Sequence, residues 1–219
     1  MITQKFEKIL NQETLPEIRD EGKGYRMFDD GGVEVEVGEF LYGLVRLIKP
    51  KLVLETGTYH GIACSYITEG LKDNGYGKLD TLEYEAIHIK TARERIGRLA
   101  LDNFVNFVQT DSLKFESDIE PEQYDLMWLD TEPQIRFAEL IKFYPLLKFG
   151  GFVFIHDLPP SMCQGNINPD HPEIKSYPFG DLPDEIRNWL KDGELVKFSF
   201  PSPRGLVGFY KPRLDDYKL

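Results

Sequence analysis

Apolar and polar residues follow two different periods along this chain. Between residues 37 and 48 the apolar positions recur at helical spacing, which predicts an amphipathic helix that Pro50 ends. From residue 52 onward, short apolar runs of strand length alternate with longer amphipathic segments. This alternation indicates a parallel sheet with helices on both faces. The predicted strands are 52–56, 79–84, 104–109, 124–130 and 151–156, and the predicted helices between them are 62–73, 86–99 and 133–147.

Three segments do not follow this alternation. Residues 2–12 predict an amphipathic helix, and residues 22–32 are a loop by composition. Residues 158–182 are polar and rich in proline, and a connection of this length predicts a functional loop or lid. We therefore expect an N-terminal helix and cover loop over residues 1–36, followed by one domain over residues 37–219.

The chain ends in one more helix and two strands. A helix is predicted at 183–191, capped by Asp181 or one of its neighbours. The strands at 194–200 and 205–211 are joined by a turn rich in proline and glycine, which predicts a hairpin.

Composition and charge exclude several classes of function. The 219 residues carry a formal net charge of −11, which argues against a nucleic-acid-binding surface because phosphate contacts need clustered Lys and Arg. No apolar run approaches the roughly 18 residues of a membrane span, and no signal-peptide pattern is evident. Cys64 and Cys163 have neither a metal-ligand spacing nor a disulfide pattern. A reduced, cytoplasmic protein is expected.

The segment from Leu52 to Gly61, LVLETGTYHG, carries the strongest chemical signal. An apolar strand leads through two glycines into a helix, whose N-terminus offers unpaired N–H groups. The spacing is not that of a dinucleotide site, because Tyr59 stands where the second glycine would admit a pyrophosphate. Glu55 would also repel a pyrophosphate. A cationic or zwitterionic ligand fits this pocket better.

This segment resembles the first motif of class I S-adenosylmethionine-dependent methyltransferases. The VLETGTYHG run is most similar to small-molecule O-methyltransferases of the catechol and caffeoyl-CoA type. The resemblance implies a Rossmann-like three-layer α/β/α sandwich with a mostly parallel seven-stranded sheet ending in an antiparallel hairpin. It also implies S-adenosylmethionine as cofactor and transfer of a methyl group to a hydroxyl of a small-molecule acceptor.

The resemblance also implies a set of cofactor-binding residues. Glu55 would face the methionine amino group, and Glu83, at the end of the second strand, would accept hydrogen bonds from the ribose hydroxyls. Asp111 and Ser112 would border the adenine ring, although this pair also suits an ordinary turn or cap. Ala63 stands where relatives often have a serine, a role that Ser65 could take. The full set is Glu55, Gly57, Thr58, Tyr59, Gly61, Glu83, Tyr84, Asp111, Ser112 and Asp130.

The ends of the fourth and fifth strands carry the catalytic candidates Asp130, His156 and Asp157. By resemblance, Asp130 and Asp157 match two metal-binding aspartates, so these two residues could bind Mg²⁺. Leu158 replaces the expected asparagine, and such a site would need more water ligands. His156 suits general-base work on a hydroxyl, unless it packs into the core as an ordinary buried histidine.

Two other interpretations remain open at this stage. One is an enzyme of the same fold with different transfer chemistry. The other is a non-catalytic module that binds an S-adenosyl ligand, an idea supported by the missing asparagine and by the unusual Thr131-Glu132-Pro133 sequence. The predicted N-terminal helix could pair two subunits in a homodimer or pack on its own domain.

Overall fold

The computed structural model describes residues 31–116, 120–157, 182–200, 204–213 and 215–216. The strands are β1 (Leu52–Thr56), β2 (Lys78–Glu83), β3 (Val105–Gln109), β4 (Tyr124–Leu129), β5 (Leu147–His156), β6 (Val196–Phe200) and β7 (Leu206–Tyr210). The helices are α1 (Val35–Ile48), α2 (Ile62–Asn74), α3 (Ala86–Leu99), α4 (Arg136–Phe143) and α5 (Asp184–Lys191). Short 3₁₀ turns lie at Asp102–Phe104 and Tyr144–Leu146.

The seven strands form one sheet in the order β3-β2-β1-β4-β5-β7-β6. The β2–β3, β1–β4 and β4–β5 pairs are parallel, whereas β7 runs antiparallel to both β5 and β6. This confirms the predicted Rossmann-like fold with its terminal antiparallel hairpin. Among the described helices, none combines the length and apolar character needed to cross a membrane.

The described chain divides into two compact units. The first comprises residues 31–51 and 58–110, and it contains α1, α2, β2, α3 and β3. Helix α1 packs against α2 through its buried face, which includes Leu41 and Val45. A Cβ at Gly38 would overlap the ring of Tyr66, so the absence of a side chain is what lets these helices approach.

The second unit comprises residues 52–57 and the described residues from 111 onward. Its central strands β1 and β4 are buried on both faces, as continuous apolar runs predict. Trp128 of β4 is fully buried in this core, and Phe154 lies beside it on β5. Helix α4 adds the buried side chains of Leu140 and Phe143 to this core.

The observed boundaries mostly follow the predicted ones. Strand β1 and helix α3 have the predicted bounds, and α1 begins two residues before the predicted start at residue 37. One region differs: the predicted helix over 133–147 is only α4 and a 3₁₀ turn, and the predicted strand at 151–156 begins already at Leu147. Pro145 has no backbone N–H to continue the helix, and Leu147 instead pairs with Tyr124 of β4.

Several predicted segments lie outside the described residues. These are the helix at 2–12, most of the cover loop at 22–32, and the lid at 158–182 except for its last residue. The predicted cap Asp181 also lies outside them. Helix α5 begins at Asp184 with Pro183 as its N-cap residue, and no side chain caps it.

Candidate functional site

Glu83 is the last residue of β2 and belongs to the first unit. Its carboxylate accepts two backbone hydrogen bonds: Oε2 from the N–H of Tyr59 and Oε1 from the N–H of Glu85, each at 2.8 Å. A carboxylate has about four lone-pair positions, so acceptor capacity remains for ligand hydroxyls. Glu83 is 8% exposed, whereas the nearby Glu85 is an exposed residue, so only Glu83 is buried at this strand end.

Three rings gather beside Glu83. Tyr59 stacks on His60 with centroids 3.7 Å apart, and it meets the edge of His88 at 4.7 Å. The Nδ1 atom of His88 lies 3.6 Å from Oε1 of Glu83. Sequence reasoning did not select His88, because its contact depends on how the first turn of α3 lies against the end of β2. Tyr84, predicted to bind the cofactor, is 62% exposed.

The loop that leads into α2 is held by backbone contacts. The Thr58 side chain is buried, and its hydroxyl bonds that of Thr81. Gly61 has a positive φ of 79°, and a Cβ there would lie 2.9 Å from the Cβ of Ala92. The hydroxyl of Ser65 donates to the carbonyl of Gly61 at 2.6 Å, so it fixes the loop from inside the helix.

In the second unit, Gly57 follows β1 and meets the residue after β4. The N–H of Asp130 donates to the carbonyl of Thr56 at 3.0 Å. Gly57 has a φ of 80°, and a Cβ there would overlap the carbonyl oxygen of Asp130. Only glycine fits this close approach. The neighbouring Glu55 side chain is fully buried.

The three catalytic candidates of the sequence lie together at the ends of β4 and β5. The Nδ1 atom of His156 is 3.2 Å from Oδ2 of Asp130 and 3.7 Å from Oδ1 of Asp157. The His156 ring is fully buried and stacks on Trp128, with centroids 5.4 Å apart. His156 is therefore packed in the core and also contacts the acidic pair, while its role as a general base stays a prediction.

Arg136, the first residue of α4, is the main residue of this site that sequence reasoning missed. Its buried guanidinium donates to the carbonyl of Thr131 at 2.8 Å and to that of Asp157 at 2.9 Å, and it also donates to the carbonyl of His156. Its Nη2 lies 3.0 Å from Oδ1 of Asp130. One cation thus ties together the segments that follow β4 and β5.

A second guanidinium holds Asp157. Arg204, two residues before β7, forms an ion pair with Oδ2 of Asp157. The other oxygen, Oδ1, is buried and has no hydrogen-bond partner within the described residues. Asp157 also has a φ of 50°, a left-handed conformation that aspartate adopts more readily than most residues. A buried acceptor without a donor points to a ligand group.

The charges around Asp130 fix its protonation state. Burial of this carboxyl favours the neutral form, but the positive charges of His156 and Arg136 outweigh burial and lower its pKa. An ionised carboxylate only accepts hydrogen bonds, so Nδ1 of His156 must be the donor between them. Only the neutral form of the ring would then carry a lone pair, on Nε2.

Glu139 is a buried acid on α4, three residues after Arg136. The hydroxyls of Thr56 and Thr131 donate to its Oε2 at 3.1 and 2.7 Å. Burial raises the pKa of Glu139 to about 7, although hydroxyls including that of Ser112 oppose the shift. This acid therefore joins the end of β1 to the turn after β4.

Ser112 and Asp111 begin the segment after β3. Ser112 is buried, whereas the Asp111 carboxylate accepts from the N–H of Leu113 at 3.0 Å and pairs with Lys114 at 2.9 Å. Asp111 thus makes the contacts of an ordinary turn. Its predicted contact with adenine stays a prediction.

The arrangement of Asp130, His156 and Asp157 does not favour a resident divalent cation. One ligand atom from each of the three lies within 4.8 Å of the others, so the spacing alone would suit an ion. However, each carboxylate is already paired with a guanidinium, from Arg136 and Arg204 respectively. Within the described part of the chain, the charges of these two carboxylates and two guanidinium groups balance, which argues against a Mg²⁺ site.

Comparisons with known proteins agree with this architecture. Residues 54–158 match a family described as a methyltransferase domain. A protein of Mycobacterium sp. strain KMS, provisionally named an O-methyltransferase, is 25% identical over 178 residues, which cover 81% of this chain and 78% of that protein. Residues 54–158 therefore have the sequence pattern of a methyltransferase domain. The predicted resemblance to class I methyltransferases is thereby confirmed.

Two solved structures share the fold of this methyltransferase. A Podospora anserina methyltransferase with bound S-adenosylhomocysteine superposes with a TM-score of 0.65 at 18% identity, covering 95% of this chain and 87% of that one. A Bacillus cereus O-methyltransferase in complex with S-adenosylhomocysteine gives a TM-score of 0.62 at 20% identity, covering 95% and 91%.

The close approach at Gly57 predicts that Gly57→Ala is strongly destabilising. The left-handed backbone costs alanine about 1–2 kcal/mol, and the overlap with Asp130 adds to this cost. Gly75→Ala is the matched control, because Gly75 has the same φ of 80° but no atom within 4 Å of its Cβ. Urea unfolding should show a larger loss for Gly57→Ala, and equal losses would contradict the proposed overlap.

The raised pKa of Glu139 predicts a pH-dependent stability. Because the folded protein holds this proton up to about pH 7 and the unfolded chain releases it near 4.5, the free energy of unfolding should fall as pH rises between these values. The fall is roughly 3 kcal/mol, and Glu139→Gln should remove it.

This prediction is measured by urea unfolding from pH 5 to 8, as the difference between the wild type and Glu139→Gln. The exposed Glu132→Gln serves as the control and should follow the wild type. A difference between wild type and Glu139→Gln that does not change with pH would exclude Glu139 as the titrating group.

Proposed function

We propose that this methyltransferase transfers a methyl group from S-adenosylmethionine to a hydroxyl oxygen of a small molecule, with Asp130, His156 and Asp157 near the acceptor. The observation that carries this proposal is the polar cluster at the ends of β4 and β5, where Oδ1 of Asp157 is buried and accepts no hydrogen bond from the described residues. In open parallel sheets, ligands bind beyond the carboxyl ends of the strands. The names of the mycobacterial and Bacillus cereus relatives support the choice of oxygen as acceptor.

The cofactor part of the proposal rests on Glu83 and on the glycines of the loop after β1. Glu83 has acceptor capacity for ribose hydroxyls, and Gly57 and Gly61 both adopt left-handed backbone conformations in the loop after β1. The two solved structures with bound S-adenosylhomocysteine support this ligand class. Glu55, Thr58, Tyr59, Tyr84, Asp111 and Ser112 remain candidates for further cofactor contacts.

The reaction requires the protein to position the acceptor oxygen and to remove one proton from it. When bound, S-adenosylmethionine supplies a methyl group on a sulfonium that is already a good leaving group. The chain must hold the acceptor oxygen in line with that methyl, which is catalysis by proximity. It must also accept the hydroxyl proton as the new bond between oxygen and carbon forms.

His156 is the residue we assign to proton removal. Its Nδ1–H donates to the ionised Asp130, which fixes the tautomer with a basic Nε2. Asp130 then stabilises the imidazolium that forms, as a carboxylate does in a catalytic triad. Asp157 would accept a hydrogen bond from the acceptor hydroxyl through its Oδ1, which accepts none from the described residues.

Calorimetric titration with S-adenosylhomocysteine tests the cofactor site. We expect Glu83→Gln to weaken binding by about tenfold or more, because a hydrogen bond to a charged group contributes roughly 1.5–3 kcal/mol. The exposed neighbour Glu85 supplies the control, and Glu85→Gln should bind within about twofold of the wild type. No binding by the wild type at high micromolar concentration would overturn the whole proposal.

Methyl-transfer assays over a panel of phenols and alcohols test the catalytic cluster. His156→Gln should lower the rate by about 100-fold or more, the usual contribution of a general base, while S-adenosylhomocysteine still binds. Asp130→Asn should cause a comparable loss because it no longer selects the basic tautomer. The exposed Glu132→Gln should keep full activity.

Three outcomes of these assays would contradict the proposal. Unchanged turnover in His156→Gln would remove His156 as the base. Tight cofactor binding without transfer to any acceptor would favour the non-catalytic binding module. Transfer of a group other than methyl, seen by mass spectrometry of the products, would favour a different reaction on the same fold.

A further inference from the structure

Two arginines form ion pairs with Asp130 and Asp157, the carboxylates that the resemblance matches to metal-binding aspartates. Arg136 pairs with Asp130 at 3.0 Å, and Arg204 pairs with Asp157. The exposed fractions of these four side chains are small, between 4% and 17%, so water screens the pairs only weakly. Buried pairs of this kind hold their geometry because breaking one leaves an uncompensated charge.

The two arginines lie in different parts of the chain and differ in the contacts described for each. The guanidinium of Arg136 also donates to the carbonyls of Thr131, His156 and Asp157, so it is part of the framework of the second unit. Arg204 instead comes from the segment just before β7 and reaches across to the carboxylate of Asp157. Because Arg136 also holds three backbone carbonyls, Arg204 is the cation we choose to change when testing the charge of the cluster.

We infer that Arg204 is a positioning residue that holds Asp157 in the way a divalent cation would, so that methyl transfer at this cluster needs no metal. The inference rests on the proposed function for the reaction itself. The guanidinium fixes Oδ2 of Asp157 and leaves Oδ1 directed to the acceptor. Among the described residues, the charges of the two carboxylates and the two guanidinium groups balance without an added ion.

Metal binding gives a test that does not depend on activity. The full-length protein is titrated with Mn²⁺ in a calorimeter, and the wild type should show no binding up to on the order of 1 mM. Arg204→Gln leaves the cluster with one excess negative charge and should bind Mn²⁺ at least about tenfold more tightly. Arg204→Lys keeps the charge and should behave as the wild type.

Arg187→Gln is the control for the loss of an arginine. Arg187 lies on the exposed face of α5 and pairs with Asp184 of the same helix, so its removal should not change Mn²⁺ binding. Micromolar Mn²⁺ binding by the wild type would overturn the inference. So would an Arg204→Gln variant that folds, by circular dichroism, but binds no more Mn²⁺ than the wild type.

Methyl-transfer assays with and without metal form the second part of the test. They separate this inference from the proposed function. Wild-type methyl transfer should be equal in EDTA and in Mg²⁺. Transfer that is lost in EDTA and restored by Mg²⁺ would overturn the inference while supporting the proposed function. If the wild type does not bind S-adenosylhomocysteine at all, the proposed function fails, and the Mn²⁺ titrations still decide the role of Arg204.

Discussion

The guanidinium of Arg136 lies where β4 and β5 end, and it donates to carbonyl groups of both following segments while it pairs with Asp130. Parallel strands end at the same edge of a sheet, so their last carbonyls and the next side chains would otherwise crowd together without donors. A planar group with five N–H donors can satisfy several acceptors at once. Removing such a buried cation costs about 3–5 kcal/mol, since Asp130 would be left without its partner.

Helix α4 carries a second buried group that acts on the same region. Glu139 lies one turn after Arg136 and accepts from the hydroxyls of Thr56 and Thr131. The cation thus holds the segments after β4 and β5, whereas the acid joins the end of β1 to the turn after β4. Helix α4 therefore supports the segments that contain Gly57, Asp130 and Asp157. Burying Arg136 and Glu139 carries a cost of desolvation, which their hydrogen bonds offset.

This arrangement changes what the acidic pair can do. Carboxylates without counter-charges would attract a cation, but Asp130 and Asp157 already have Arg136 and Arg204 as partners. Their remaining capacity is used for orientation: Asp130 selects the tautomer of His156, and Asp157 presents one oxygen. These contacts support the proposed role of the cluster in proton removal and hydrogen bonding.

The order of elements, the parallel sheet, the final hairpin and the methyltransferase motif could all be predicted from the sequence. Each depends on local periodicity or on glycines within a few residues, and β1 and α3 were placed to the residue. The ends of the strands also pointed to Glu83, Asp130, His156 and Asp157, because a parallel sheet brings those ends to one edge.

The tertiary structure alone decided which partners these residues have. Arg136, Glu139 and Arg204 read in the sequence as ordinary charged residues of a helix or a turn, and nothing in their spacing indicates burial. Arg204 is 47 residues from Asp157, and Glu139 is 83 from Thr56. Ion pairs and hydrogen bonds at such separations depend on chain topology and packing, whereas local sequence patterns specify only neighbours within a few residues.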